Sequence, residues 1–191
     1  MGAKSTRFEY IAGGLDQCSY WRDDWKFCNL DGKGNQMTFK LSQRSLSKLE
    51  GVHPDLVDTV VRAIELTKVD FGITCGLRTL EEQKRLVATG RSQTMNSKHI
   101  PQSDEFSHAI DCLAYVDGDV CWEIAVYDDI CDAMAAAAKE TGAAIKWGAA
   151  WSEGDIRAYK GSAADAMNAY IDLRRSQGRR PFIDGPHFEL M

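Results

Sequence analysis

The sequence predicts an α+β domain, a small antiparallel sheet with helices packed on one side. Three observations lead there: a helical apolar period after His53, strand-like alternation through "HAIDCLAYV" ending in the turn pair Asp117-Gly118, and an alanine-rich helix closed by Gly142. At 191 residues and 44% hydrophobic, the chain can bury one sizeable core.

Residues 1–36 are rich in aromatics and glycine but have no sustained period, so they read as an irregular extension ending near Asp31-Gly32. Trp21, Trp25 and Phe27 within it are expected to fold back onto the core rather than bind a ligand. Pro54 suits a first helical turn, and Leu56, Val57, Val60, Val61 and Ile64 recur on one face of a helix ending near Thr67. "VDFGITCGL" reads as a short buried strand. Thr79 and Glu82 form a capping box that opens a second helix, which Gly90 closes.

"HAIDCLAYV" and "DVCWE" pair as a hairpin about Asp117-Gly118. The run from Ala125 to Thr141 is a third helix with Val126, Ile130 and Met134 on its inner side, and "AAIKWG" is another strand. A polar helical stretch from about Asp155 to Gln177 precedes the strand-like end "IDGPHFEL".

A net charge of −5 gives no general attraction to nucleic acid or to an anionic membrane, and no apolar run is long enough to span one. The start "MGAKSTRFEYIAGG" lacks the apolar core of a secretory signal, so synthesis in the cytoplasm is expected. Six cysteines without a C-x-x-C pair are then expected to be free thiols, with Cys18 and Cys28 the pair to check for a disulfide. A monomer is expected.

Two of the four histidines fall in "SKHIPQSDEFSHAIDC" beside Asp111, which alternation places on one face of a strand with Leu113 and opposite Cys112. One strand face must therefore hold a carboxylate against the core, which is costly unless the charge is paired or bound to a metal. "DGPHFEL" supplies Asp184, His187 and Glu189 on a second strand-like segment. Two imidazoles and a carboxylate suit a divalent ion, zinc (Zn2+) first, with one position open for water. Ordinary surface histidines account for the same spacings.

These motifs resemble those of the zinc peptidases that include D-Ala-D-Ala carboxypeptidases and dipeptidases and the L-alanyl-D-glutamate endopeptidases of phage endolysins. "SKH…SHAID" is similar to their Ser-x-His-x6-Asp element, and "DGPHFEL" to their Asp/Glu-x-x-His element. The likeness to the endolysin branch runs from about Phe39 to Trp151 and through the last ten or so residues. It implies the hedgehog/D-Ala-D-Ala peptidase-like fold over residues 37–191, with a helical segment inserted at about 152–180. It also implies zinc ligands His99, Asp111 and His187, with Asp184 as general base. Arg78 in "GLRT" resembles the family arginine that faces the metal, where it stabilises an oxyanion or holds a substrate carboxylate; pairing with the capping loop is the alternative. Ser97 supports the ligand loop or a substrate amide, and Trp147 walls the cleft or belongs to the core.

The chain departs from the family pattern in three places. Eleven residues separate His99 from Asp111 where the short form has six, so "PQSDE" acts as an insertion and His108 becomes a rival ligand. Ala150 in "WGAAW" stands where relatives often carry an aspartate. The segments 1–36 and 152–180 are extra. The function implied is hydrolysis of the peptide stem of peptidoglycan between L-alanine and D-glutamate, by an enzyme made in the host cytoplasm and acting on the wall after release. The alternatives are a D-Ala-D-Ala carboxypeptidase or dipeptidase, and a non-catalytic wall-binding or phage-tail module. Arg174 to Arg180, "RRSQGRR", is a solvated helix end before it is a wall-polymer contact.

Overall fold

The computed structural model describes residues 38–191. The N-terminal extension, its aromatic cluster and the Cys18–Cys28 pair lie outside the described residues. His53 caps helix α2 (Pro54–Leu66) by accepting the Asp55 N–H on Nδ1 at 3.2 Å. Leu56, Val60, Ala63 and Ile64 form the buried stripe that packs against α4 (Ile124–Thr141). Small residues on α4, Cys131, Ala137 and Ala138, let the two helices approach closely. Thr59 joins them with a 2.8 Å hydroxyl pair to Thr141. Val126 is half-buried at the start of α4, and Tyr127 beside it is fully buried, its hydroxyl donating to the Cys121 carbonyl at 3.3 Å. Gly142 stops α4 at φ 83°, where a glycine costs nothing sterically.

The sheet is antiparallel throughout. Strand β2 (Ala109–Val116) is flanked on one edge by β1 (Asp70–Cys75), while β5 (His187–Leu190) and β3 (Asp119–Cys121) share the other. Beyond β5 lies β4 (Ile145–Trp147). Asp117 and Gly118, at φ 53° and 87°, make the hairpin turn with both central residues left-handed.

Register sorts the two faces. Phe71, Ile73, Ile110, Cys112, Ala114, Ile145, Trp147, Phe188 and Leu190 are buried on the core face. Asp111 and His187 share the opposite face. The expectation of a carboxylate held against the core is thus corrected: Asp111 faces away from the apolar layer, and its side chain is one-quarter exposed.

Helix α1 (Gln43–Lys48) has no counterpart in the sequence reading; at six residues it is too short to display a period. Its buried Ser45 accepts the Ile73 N–H at 3.1 Å and docks it on β1. Helix α3 (Leu80–Ala88) has the Thr79/Glu82 capping box and ends before Gly90 at φ 72°. The stretch expected as one helix from Asp155 is a 3-10 turn (Ile156–Ala158) and then α5 (Ala163–Ser176). Gly161 at φ 100° breaks it, and Ser162 with Asp165 recaps the chain. Cys75, Cys112, Cys121 and Cys131 are free thiols. No helix among the described residues is long and apolar enough to cross a membrane.

Candidate active site

Asp111 on β2 stands directly opposite His187 on β5 and, across the other edge, opposite Cys75 on β1. Directly opposed residues in antiparallel strands point to the same face, so the register alone builds a row of functional side chains. The next place in that row is Gly148, whose N–H donates to the His187 carbonyl at 2.8 Å. A Cβ there would lie 2.5 Å from the Asp184 carbonyl oxygen and 2.9 Å from the His187 Cβ, so only glycine admits the Asp184 turn.

His99 arrives from the loop after α3, almost fully buried. Its Nδ1 lies 2.8 Å from the Gly76 carbonyl, which can only accept, so Nδ1 carries the proton and Nε2 faces inward. Ser97 Oγ accepts the His99 backbone N–H at 3.3 Å and so braces the loop that carries His99. His99 Nε2, Asp111 Oδ1 and His187 Nδ1 converge at 3.2 Å, 3.0 Å and 3.3 Å from one another. Ligands of a tetrahedral zinc are about 3.3 Å apart when each lies about 2.0 Å from the ion, so the three atoms fit such a cation. Cys75 also lies near His99 and Asp111. Its sulfur, however, sits 3.7 Å from Nδ1, the edge of the ring that faces away from the trio.

His108 is not in this group. Its Nε2 pairs instead with Asp104 at 2.7 Å.

Burial alone would raise the Asp111 carboxyl, but hydrogen bonds from His187 and His99 outweigh it and hold the group well below the usual carboxylate range. Burial is the largest single influence and lowers both imidazoles, yet Asp111 together with Cys75 lifts His99 to about 10, and Asp111 together with Glu189 lifts His187 to about 9. Two buried imidazoles and a carboxylate whose donor atoms lie this close together are a set suited to a cation.

Around the trio lies a second layer of contacts. His187 Nε2 meets Glu189 Oε2 at 3.3 Å, which turns Nδ1 toward Asp111. Arg78 Nη2 donates to Cys75 Sγ at 3.3 Å and to Asp111 Oδ2 at 3.5 Å. Its Nη1 donates to Gln83 Oε1 at 2.8 Å, and Gln83, fully buried in α3, is itself fixed by the Thr94 carbonyl at 2.6 Å. Asp184 is partly buried at the turn before His187, and that burial raises its pKa.

The phage L-alanyl-D-glutamate peptidase family model matches residues 37–191. The chain belongs to the phage L-alanyl-D-glutamate peptidase family. The L-alanyl-D-glutamate peptidase of Escherichia phage T5 is 32% identical over 159 residues, which is 81% of this chain and all of that protein. Among solved structures, the Serratia marcescens L-Ala D-Glu endopeptidase ChiX is 31% identical and superposes with a TM-score of 0.58, over 81% of this chain and 91% of its own. The peptidase domain is therefore α+β, as its elements already show.

Trp147 is a correction within the peptidase site. It is fully buried, stacks on Phe188 and donates its Nε1–H to the Gly185 carbonyl at 2.8 Å, so it steadies the Asp184 turn from the core and walls no cleft. Trp151 takes the wall position, its ring 5.5 Å from that of His187 and stacked on Phe182. Ala150 is fully buried, and no carboxylate faces the site from that position. Sequence reasoning missed Gln83, Gly148 and Trp151. A glutamine inside an amphipathic helix and a glycine after a strand carry no local sign of such roles.

Proposed function

We propose that this chain is a zinc-dependent peptidoglycan peptidase that hydrolyses the bond between L-alanine and D-glutamate in the stem peptide. The observation that carries the reading is the convergence of His99 Nε2, Asp111 Oδ1 and His187 Nδ1 within 3.3 Å of one another, in a chain of this family. A zinc ion held by these atoms supplies Lewis acidity and lowers the pKa of water from 15.7 to roughly 7. Asp184 accepts the proton of the attacking water and returns it to the departing amine, a task that suits a carboxylate whose pKa burial has raised. Arg78, held by Gln83, faces the acyl oxygen as its charge develops. Trp151, Tyr170, Arg174 and Phe182 line a cavity of about 500 Å³, which seats the rest of the stem.

The test is mass spectrometry of purified peptidoglycan digested by the zinc-loaded protein. New L-alanine carboxyl ends and D-glutamate amino ends are expected. Released D-alanine would instead identify a carboxypeptidase or dipeptidase, and an undigested wall would identify a binding module.

A further inference from the structure

The two histidines that the catalytic trio leaves out lie together and share a second aspartate. His53 and His108 have ring centroids 5.2 Å apart with their planes at 80°. Asp104 Oδ2 sits 2.7 Å from His108 Nε2 and 3.7 Å from His53 Nε2. We propose that these three side chains form a second divalent-metal site, taking zinc or a neighbouring transition ion such as cobalt or nickel, with water completing the coordination.

Two imidazole nitrogens and one carboxylate oxygen are a donor set for such ions, not for calcium or magnesium. The two separations from Asp104 straddle the about 3.3 Å expected between tetrahedral ligands, so small side-chain rotations place all three on one ion. The side chains are 19–38% exposed, open enough for an ion to enter and sheltered enough to hold it.

Each donor is fixed through the backbone. Val52 and Ser107 form a parallel bridge, and the His53 N–H donates to the Ser107 carbonyl at 2.9 Å. The His108 N–H donates to Lys98, and its carbonyl accepts from Leu190. Asp104 Oδ1 accepts the Phe106 N–H, which leaves Oδ2 for the imidazoles.

The rival account is a plain ion-pair cluster. It gives the partly exposed His53 Nε2 only a loose electrostatic contact, because 3.7 Å is too long for a hydrogen bond. An ion removes that deficit at one cost: His53 Nδ1 must give up the Asp55 N–H and carry a proton. The Asp55 carboxylate, 3.8 Å from Nδ1, would have to swing closer to accept the Nδ1–H.

The site explains what "PQSDE" adds. Asp104 comes from this insertion, which lies in the loop running from His99 to Asp111. An ion there pins the longer loop to the start of α2 and steadies the spacing between two catalytic ligands. The proposal draws on none of the catalytic trio, so the two sites fail or stand separately.

Equilibrium dialysis of the chelator-stripped protein against Zn2+, with metal counted by mass spectrometry, tests it. Asp104→Ala and His108→Gln should each bind one zinc fewer than the parent, and His187→Ala should also lose one. The Asp104→Ala/His187→Ala double variant should lose two. In the His187→Ala background, zinc should raise the melting temperature, and adding His108→Gln should remove that rise. Equal zinc content in the parent, Asp104→Ala and His108→Gln would overturn the second site whatever the result at His187. Circular dichroism on each variant confirms folding, and His53→Gln replaces any that fails.

Discussion

Two carboxylates flank His187, and their surroundings fit them for opposite tasks. Burial raises the Asp184 carboxyl. Burial also works to raise Glu189, but the hydrogen bond and charge of His187 together with Lys146 and Lys98 outweigh it and lower that group. A raised carboxylate can take a proton from water near neutral pH; a lowered one stays charged and orients an imidazole. Asp184→Asn should therefore cut kcat by about 100- to 10,000-fold while leaving zinc content at the catalytic site unchanged, read by turnover and metal analysis on the same sample. As the proposed base, Asp184 would work only when deprotonated, so activity should fall on acidification through a pKa above the ordinary carboxylate value of about 3.9. A pH profile of kcat/KM without an acid limb above that range would remove Asp184 from the role. Glu189→Gln should instead leave the chemistry in place and weaken zinc binding by about 10- to 100-fold, measured by competition with a chelating dye.

At the scale of elements, the site is a product of strand register. Asp111 and His187 are 76 residues apart in the chain and meet because β2 and β5 pair with those two opposite each other. Slipping β5 by one residue would send His187 into the core and Phe188 into the site. Gly148 guards this arrangement, since a methyl group there would strike both the Asp184 carbonyl and the His187 Cβ. Gly148→Ala should destabilise the fold by about 1–3 kcal/mol in chemical denaturation, with loss of activity at temperatures where the variant is still folded.

The same distinction explains what the sequence could show. Helix α2, the capping box of α3, the Asp117-Gly118 hairpin and the Gly142 stop are local patterns, legible within one or two turns of chain. The pairing of β2 with β5 is not local; the residues alone suggest a His/Asp metal site, and the specific set His99, Asp111 and His187 comes from the family likeness. Trp147 and Trp151 show the limit most clearly: both flank "GAA", and without the register nothing in the residues says which ring enters the core. The meeting of His53 with Asp104 and His108 is likewise a matter of tertiary placement, with no local sign in the chain.

For the whole molecule, the buried trio couples stability to pH, and the metal reverses the direction of that coupling. Without metal, His99 at about 10 and His187 at about 9 stand above the ordinary histidine value of about 6.5. Burial works against their charge, but Asp111 between them, with Cys75 beside His99 and Glu189 beside His187, more than compensates. A group whose folded pKa is raised contributes stability that is complete below its unfolded value and is lost as pH rises through the folded one. Asp111, held low, contributes above about 3.9 and loses that contribution as pH falls further. The chelator-stripped protein should thus be most stable between roughly pH 4 and 6.5 as far as this cluster decides, and its melting temperature should fall from pH 6.5 toward 10. Zinc binds the deprotonated ligands, so its contribution follows the opposite course and grows over the same interval. Thermal melts of stripped and zinc-loaded protein across that range should diverge as pH rises, and the stripped His187→Asn variant should show a shallower decline than the stripped parent. Parallel curves for stripped and loaded protein would mean that the imidazoles and the metal do not compete for the same atoms, and the ligand assignment would fail with them.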